Sequence, residues 1–152
     1  MEPPVDHFVL GVTLSAVQLR HDLPDGDWHV DWMIATDADG EGPLVAFRVP
    51  DALDRLPAGR EILIERIGPH RPHYLDYEGP LSGGRGYVTR LAHGEVTWSR
   101  EPDGSLLARM LWRADREEDV APHALTARLT LSEKPDRWRL VLTGEVDPHR
   151  AQ

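Results

Sequence analysis

Glu95-Val96-Thr97-Trp98-Ser99-Arg100-Glu101-Pro102-Asp103-Gly104-Ser105-Leu106-Leu107-Ala108-Arg109-Met110-Leu111-Trp112 is the stretch whose reading sets the fold class. Val96 and Trp98 alternate with polar Glu95, Thr97 and Ser99, the pattern of a strand with one buried face. Glu101-Pro102-Asp103-Gly104 then supplies turn chemistry: proline presets φ, aspartate accepts hydrogen bonds from nearby amides, and glycine tolerates a left-handed backbone. Ser105–Trp112 is the return strand of a hairpin that starts at Glu95–Arg100. Downstream, Ala124–Leu131 and Trp138–Gly144 read as a final strand pair joined by Ser132–Asp136. Upstream, Phe8–Leu14, Ala16–Arg20, Trp28–Thr36 and Leu44–Val49 read as strands, as do Glu61–Ile67 and Gly86–Arg90.

Turn residues punctuate these segments at short intervals, and no long helical pattern competes with them. Asp51–Leu56 and Asp119–His123 each suit a single helical turn. The expectation is a mainly β protein: a small antiparallel β-barrel with one or two short helical turns, favoured over a sandwich. At 152 residues the chain has the length of one domain. Its core is expected between about residues 7 and 146, with Met1–Asp6 and Asp147–Gln152 as frayed ends.

Composition narrows the function classes. An apolar fraction of 40% with five tryptophans argues against wholesale disorder. No apolar run approaches the roughly 20 residues of a membrane-spanning helix. Met1-Glu2-Pro3-Pro4 has neither the basic nor the apolar part of a signal peptide, so the cytoplasm is the default compartment. Without cysteine there is no disulfide and no thiolate zinc site, and any metal must sit on histidine and carboxylate. The net charge of −9 disfavours nucleic-acid binding through a broad basic surface. Arg113-Ala114-Asp115-Arg116-Glu117-Glu118-Asp119 interleaves both signs, as a solvated acidic surface does.

Two constellations carry chemistry. In Trp28-His29-Val30-Asp31-Trp32, strand alternation puts His29 and Asp31 on one face and Val30 and Trp32 on the other. An imidazole beside a carboxylate suits a divalent ion such as Mn²⁺ or Zn²⁺. The same spacing also fits a surface ion pair or a hydrogen-bonded core histidine. His21 ends the preceding strand, where it reads either as a third ligand at a barrel mouth or as a loop histidine. The second constellation is His70-Arg71-Pro72-His73-Tyr74-Leu75-Asp76-Tyr77-Glu78-Gly79-Pro80, followed by Ser82-Gly83-Gly84-Arg85-Gly86. His70 and Tyr74, with arginine nearby, suit phosphate binding and acid–base chemistry. The glycines suit either an anion nest or a wide turn. His7, His93, His123 and His149 stand at ends or turns, and Trp98, Trp112 and Trp138 read as packing residues.

Taken in order, Val17-Gln18-Leu19-Arg20-His21-Asp22, Trp28–Trp32, Phe47-Arg48-Val49-Pro50, His70–Gly79, Gly83–Gly86 and Gly94–Trp98 resemble the phosphoesterase domain at the N-terminus of bacterial DNA ligase D and its stand-alone small relatives. The resemblance spans approximately residues 16 to 143, and Tyr74-Leu75-Asp76-Tyr77-Glu78-Gly79 is its most specific piece. It implies a small β-barrel that processes 3′ ends of nucleic acid in DNA repair, with a divalent metal: Mn²⁺ first, Zn²⁺ or Co²⁺ as alternatives. It also implies metal ligation by His21, His29 and Asp31, and a catalytic or phosphate-engaging role for His70 and Tyr74. The chain departs from the family where an arginine two positions after the metal aspartate grips phosphate: Met33 stands there, and Ala35 replaces an acidic residue. A basic residue of the family falls near Ile62, between Arg60 and Arg66, and the family's N-terminal catalytic arm has no counterpart. Arg71 and Arg85 are the candidate replacements for phosphate binding.

Three functions compete. The first is a metal-dependent phosphoesterase acting on nucleic-acid 3′ ends. The second is a catalytically degenerate module that keeps the barrel and binds metal, nucleic-acid ends or DNA-repair proteins. The third is a phosphoesterase for a small phosphorylated substrate, for which negative charge is less of a handicap. No membrane partner is expected.

Overall fold

The computed structural model describes residues 8–115 and 122–144. The hairpin that decides the fold class is present, with β6 (Tyr87–Arg100) antiparallel to β7 (Leu106–Ala114) and Trp98 opposite Ala108. Asp103 holds the turn: its Oδ1 accepts hydrogen bonds from the Ser105 amide (2.9 Å) and hydroxyl (2.6 Å). β6 is longer than expected, because Gly86–Arg90 and Glu95–Arg100 are two parts of one strand of 14 residues. Gly94 sits where the two parts join. A Cβ there would lie 1.9 Å from the Leu111 carbonyl oxygen, so only glycine lets β7 pass this close.

The remaining strands are β1 (Thr13–Asp22), β2 (Trp28–Ile34), β3 (Leu44–Val49), β4 (Glu61–His70), the two-residue β5 (Gly79–Pro80), β8 (His123–Leu131) and β9 (Arg137–Gly144). Phe8–Leu14 is not a strand of its own. Gly11 takes a left-handed turn, Leu10 makes an isolated bridge to Trp98, and Thr13 opens a single strand through Asp22. Asp51–Leu56 contains the expected helical turn as a 3-10 turn at Leu53–Arg55. Two further 3-10 turns cover Pro72–Leu75 and Ser82–Gly84. The frayed ends, His7, His149 and most of the helical turn expected at Asp119–His123 lie outside the described residues.

All ladders are antiparallel, and pairing of β1 with β6 closes eight strands into a barrel in the order β1-β2-β3-β4-β9-β8-β7-β6. Closure leaves no edge among these eight, with β5 appended to β6. The interior is aromatic. Trp32 stacks on Phe47 at 5.4 Å, Phe47 meets Trp138 at 5.5 Å edge-on, and Phe8 fills the gap to Trp98 at 4.8 Å. Leu14, Ile64, Leu106, Leu129 and Leu140 surround them, all essentially fully buried. The opposite face on β7 and β8 carries exposed Arg109, Arg113 and Arg128. Among the described residues, no helix is long and apolar enough to cross a membrane.

The outer face is not exposed everywhere. On β1–β3 and the start of β6 it is also buried, at Val17, Leu19, Met33, Ala46 and Val88. Residues 71–86 lie over this patch as a roof, with Tyr74 buried. Arg90 anchors the roof. Its guanidinium donates to the Leu75 carbonyl (3.1 Å) and pairs with Asp115 and, more loosely, with Asp76 (3.7 Å). The Glu78 carboxylate accepts from the Arg90 amide (2.9 Å). Glu78 of the second constellation therefore braces the roof, while the Asp76 side chain stays exposed.

Candidate metal centre and its cavity

β1 and β2 pair so that His21 stands opposite His29, and Leu19 opposite Asp31. Directly opposed residues point to the same side, and Asp31 follows His29 by two, so all three side chains share one face. The indole of Trp32 points into the aromatic core, so this face is the outer one. The expected convergence is present, but beneath the roof on the barrel's outside, not in a barrel mouth. The closed register explains the difference, because the interior positions of β1 and β2 are already taken by Leu14, Ala16, Val30 and Trp32.

One donor atom from each of His21, His29 and Asp31 falls within 4.8 Å of the others. The His21 and His29 rings meet edge-on at 4.9 Å between centroids. His29 Nε2 lies 3.1 Å from Asp31 Oδ1, close enough to count as an ion pair, yet neither buried atom has a hydrogen-bond partner. Without a hydrogen bond's alignment, a lone pair and a carboxylate oxygen at this range need a cation or a proton between them. His21 Nε2 is 2.8 Å from the Arg85 carbonyl. A carbonyl only accepts, so Nε2 carries the proton and Nδ1, 3.7 Å from Asp31 Oδ2, presents its lone pair. Such outer contacts typically fix the tautomer of a metal-binding histidine. The donor set fits a divalent ion that takes mixed nitrogen and oxygen ligands.

A cavity of about 440 Å³ opens beside these residues. Its polar wall comprises His21, Asp31, Arg48, His70, Tyr74 and Arg85. Its apolar wall comprises Leu23, Pro24, Met33, Ile67, Leu81 and Val88. His70 and Tyr74 are thus brought to the cavity beside the His21, His29 and Asp31 cluster, with rings 5.7 Å apart. His70 Nδ1 lies 2.8 Å from the Gly68 carbonyl and so bears its proton, leaving Nε2 available in the neutral ring.

The two arginines proposed for phosphate have different placements. Arg71 is exposed and does not line the cavity. Arg85 does, but its guanidinium is tied to the Ser82 carbonyl (2.8 Å) and hydroxyl (3.1 Å). His73 is exposed, with its ring tilted against Tyr74 at 4.1 Å; desolvation, then the neighbouring Arg71 charge, lowers its pKa below the ordinary value. The glycine-rich stretch serves close approach. Gly86 has φ +105°, and a Cβ there would lie 2.0 Å from the Asp22 carbonyl oxygen, next to His21.

Sequence reasoning missed Arg48 as a site residue. It stands directly opposite Asp31 on β3 and lines the cavity. Its only signal was its place in Phe47-Arg48-Val49-Pro50, and the register that delivers it to Asp31 depends on the loop between β2 and β3. The apolar wall was missed too, since its members come from separate strands and turns. A scan of the chain against protein-family models finds no match, and a search of curated proteins likewise finds none.

Proposed function

We propose that this protein is a divalent-metal-dependent phosphoesterase, with the 3′-phosphate end of nucleic acid as the substrate that the resemblance implies. The observation that carries the reading is a pair of buried atoms, His29 Nε2 and Asp31 Oδ1, that lie 3.1 Å apart with no hydrogen bond to either, beside His21 Nδ1 at the edge of a cavity that also holds His70. His21, His29 and Asp31 would hold the ion, with Mn²⁺ first and Zn²⁺ or Co²⁺ as alternatives. A bound divalent ion supplies Lewis-acid polarisation of a phosphoryl oxygen and a more acidic water. The Arg85 carbonyl keeps His21 in its ligating tautomer, and Tyr74 packs beside the His70 ring. In the hydrolysis, a water oxygen would bond to phosphorus as the ester P–O bond breaks; His70 in its doubly protonated form would give its Nε2 proton to the departing alcohol oxygen and regain one from the dihydrogen phosphate so formed.

Phosphate release from a 3′-phosphorylated oligonucleotide by purified protein with Mn²⁺ tests the reading. Release is expected in wild type and lost in His29→Ala; equal release in the variant overturns the site. A second reading is favoured by Met33, buried at the cavity wall where an arginine would grip phosphate. Under it the barrel binds metal and nucleic-acid ends, or repair proteins, without turnover. End binding with no hydrolysis under any of the three metals would select that reading.

A further inference from the structure

We propose that the cavity recognises a single phosphate-ester unit, with Arg48 gripping the phosphate and the apolar wall holding the organic body, and that it does not read a polynucleotide track. The inference rests on the phosphoesterase reading only for the identity of the anion.

Among the described arginines that line the cavity, Arg48 is the one whose charge is least committed. Arg85 spends its guanidinium on Ser82. Arg48 has only a loose contact with Glu65 at 3.8 Å, and Glu65 has a closer partner in Arg137 at 3.0 Å. At 44% side-chain exposure Arg48 can exchange that contact for a ligand at little cost. Arg48 lines the same cavity as His21 and Asp31 and stands opposite Asp31 in the strand register, so its planar, two-pronged donor is within that cavity's reach to grip a phosphoryl group by two oxygens.

The rest of the cavity argues for a small ligand. Its volume falls within the range of small-molecule sites. Leu23, Pro24, Leu81 and Val88 offer an apolar surface for a nucleoside or other ring-sized alcohol. Beyond the cavity several arginines are matched by acids: Arg20 with Asp22, Arg90 with Asp115, Arg137 with Glu65, and Arg139 with Glu61 and Glu133. Exposed Arg109, Arg113 and Arg128 stand on β7 and β8, strands that contribute no residue to the cavity. With a net charge of −9, the described surface around the cavity gives successive phosphates few uncommitted arginines to follow.

The test compares two probes by calorimetry, with and without Mn²⁺: a nucleoside carrying a non-hydrolysable 3′-phosphonate, and a dodecanucleotide ending in the same group. The two should bind within about threefold of each other, and Arg48→Ala should weaken both by about tenfold or more. Arg48→Lys should recover only part of the loss, because lysine lacks the fork. Leu81→Ser should weaken the nucleoside phosphonate while leaving methylphosphonate binding unchanged. A dodecanucleotide that binds more than about tenfold tighter, with steep salt dependence, overturns the proposal. So does unchanged affinity in Arg48→Ala, or no binding of the nucleoside probe. Arg48-dependent binding without hydrolysis of the corresponding 3′-phosphate under Mn²⁺ would sink the phosphoesterase reading and leave this inference standing. Hydrolysis of oligonucleotide ends that is indifferent to Arg48 would do the reverse.

Discussion

His29 and Asp31 face each other at 3.1 Å without a hydrogen bond, so the loss of either partner should be felt first in cation affinity. His29→Ala is expected to weaken Mn²⁺ binding by about 100-fold or more, read by paramagnetic resonance of the free ion, because a three-ligand set loses one member. Arg85 separates side-chain from backbone roles at the same site. Its carbonyl orients His21 while its guanidinium contacts Ser82. Arg85→Ala should therefore change Mn²⁺ affinity by less than about threefold, since the carbonyl stays in place. A larger loss would show that the guanidinium, not the carbonyl, supports the cluster. At this scale the sequence was informative about residue types. His29 and Asp31 were legible from strand spacing and His21 entered as a ligand only through the resemblance, whereas Arg48 was not legible, because a cross-strand neighbour is defined only once the register is known.

At the scale of elements, the hairpin and the roof carry separate predictions. Asp103 accepts from the Ser105 hydroxyl and amide, which holds its carboxyl below the ordinary value of 3.8. A carboxyl depressed in the folded state contributes stability that is present above its unfolded pKa and is lost as pH falls through the folded one. Wild type should therefore lose more stability than Asp103→Asn as pH drops below 3.8, measured by urea midpoints across the acid range. Parallel curves would show that the turn does not use this charge. Gly86 joins the roof to β6 in a left-handed conformation tight against Asp22. Gly86→Ala should displace the Arg85 carbonyl and weaken Mn²⁺ binding about 10-fold or more, although position 86 contacts no ion. Strand identity along β6 was legible from alternation, but its continuity was not. Residues 91–94 fell between two expected strands, and only the paired structure shows that Gly94 belongs to one unbroken strand, where the close passage of β7 leaves no room for a Cβ.

For the molecule as a whole, ion binding to the folded state alone should raise thermal stability. At about 100 times its dissociation constant, Mn²⁺ should contribute about 2.7 kcal/mol, or roughly 5–10 °C in Tm, and none of this in His29→Ala. A shift of equal size in both proteins would place the ion elsewhere. The sequence by itself determined the β class, the hairpins and the residue types of the candidate metal cluster. Side-chain alternation and turn chemistry are local properties, written into neighbouring positions. The tertiary structure alone decided which face of the barrel holds the site. Closure by β1–β6 pairing fills the interior with Phe8, Trp32, Phe47, Trp98 and Trp138 and turns His21, His29 and Asp31 outward. It also decided that residues 71–86 roof that face, and that Arg48 and the apolar wall join it. Those placements follow from long-range register, where a one-residue slip would send every side chain to the opposite face.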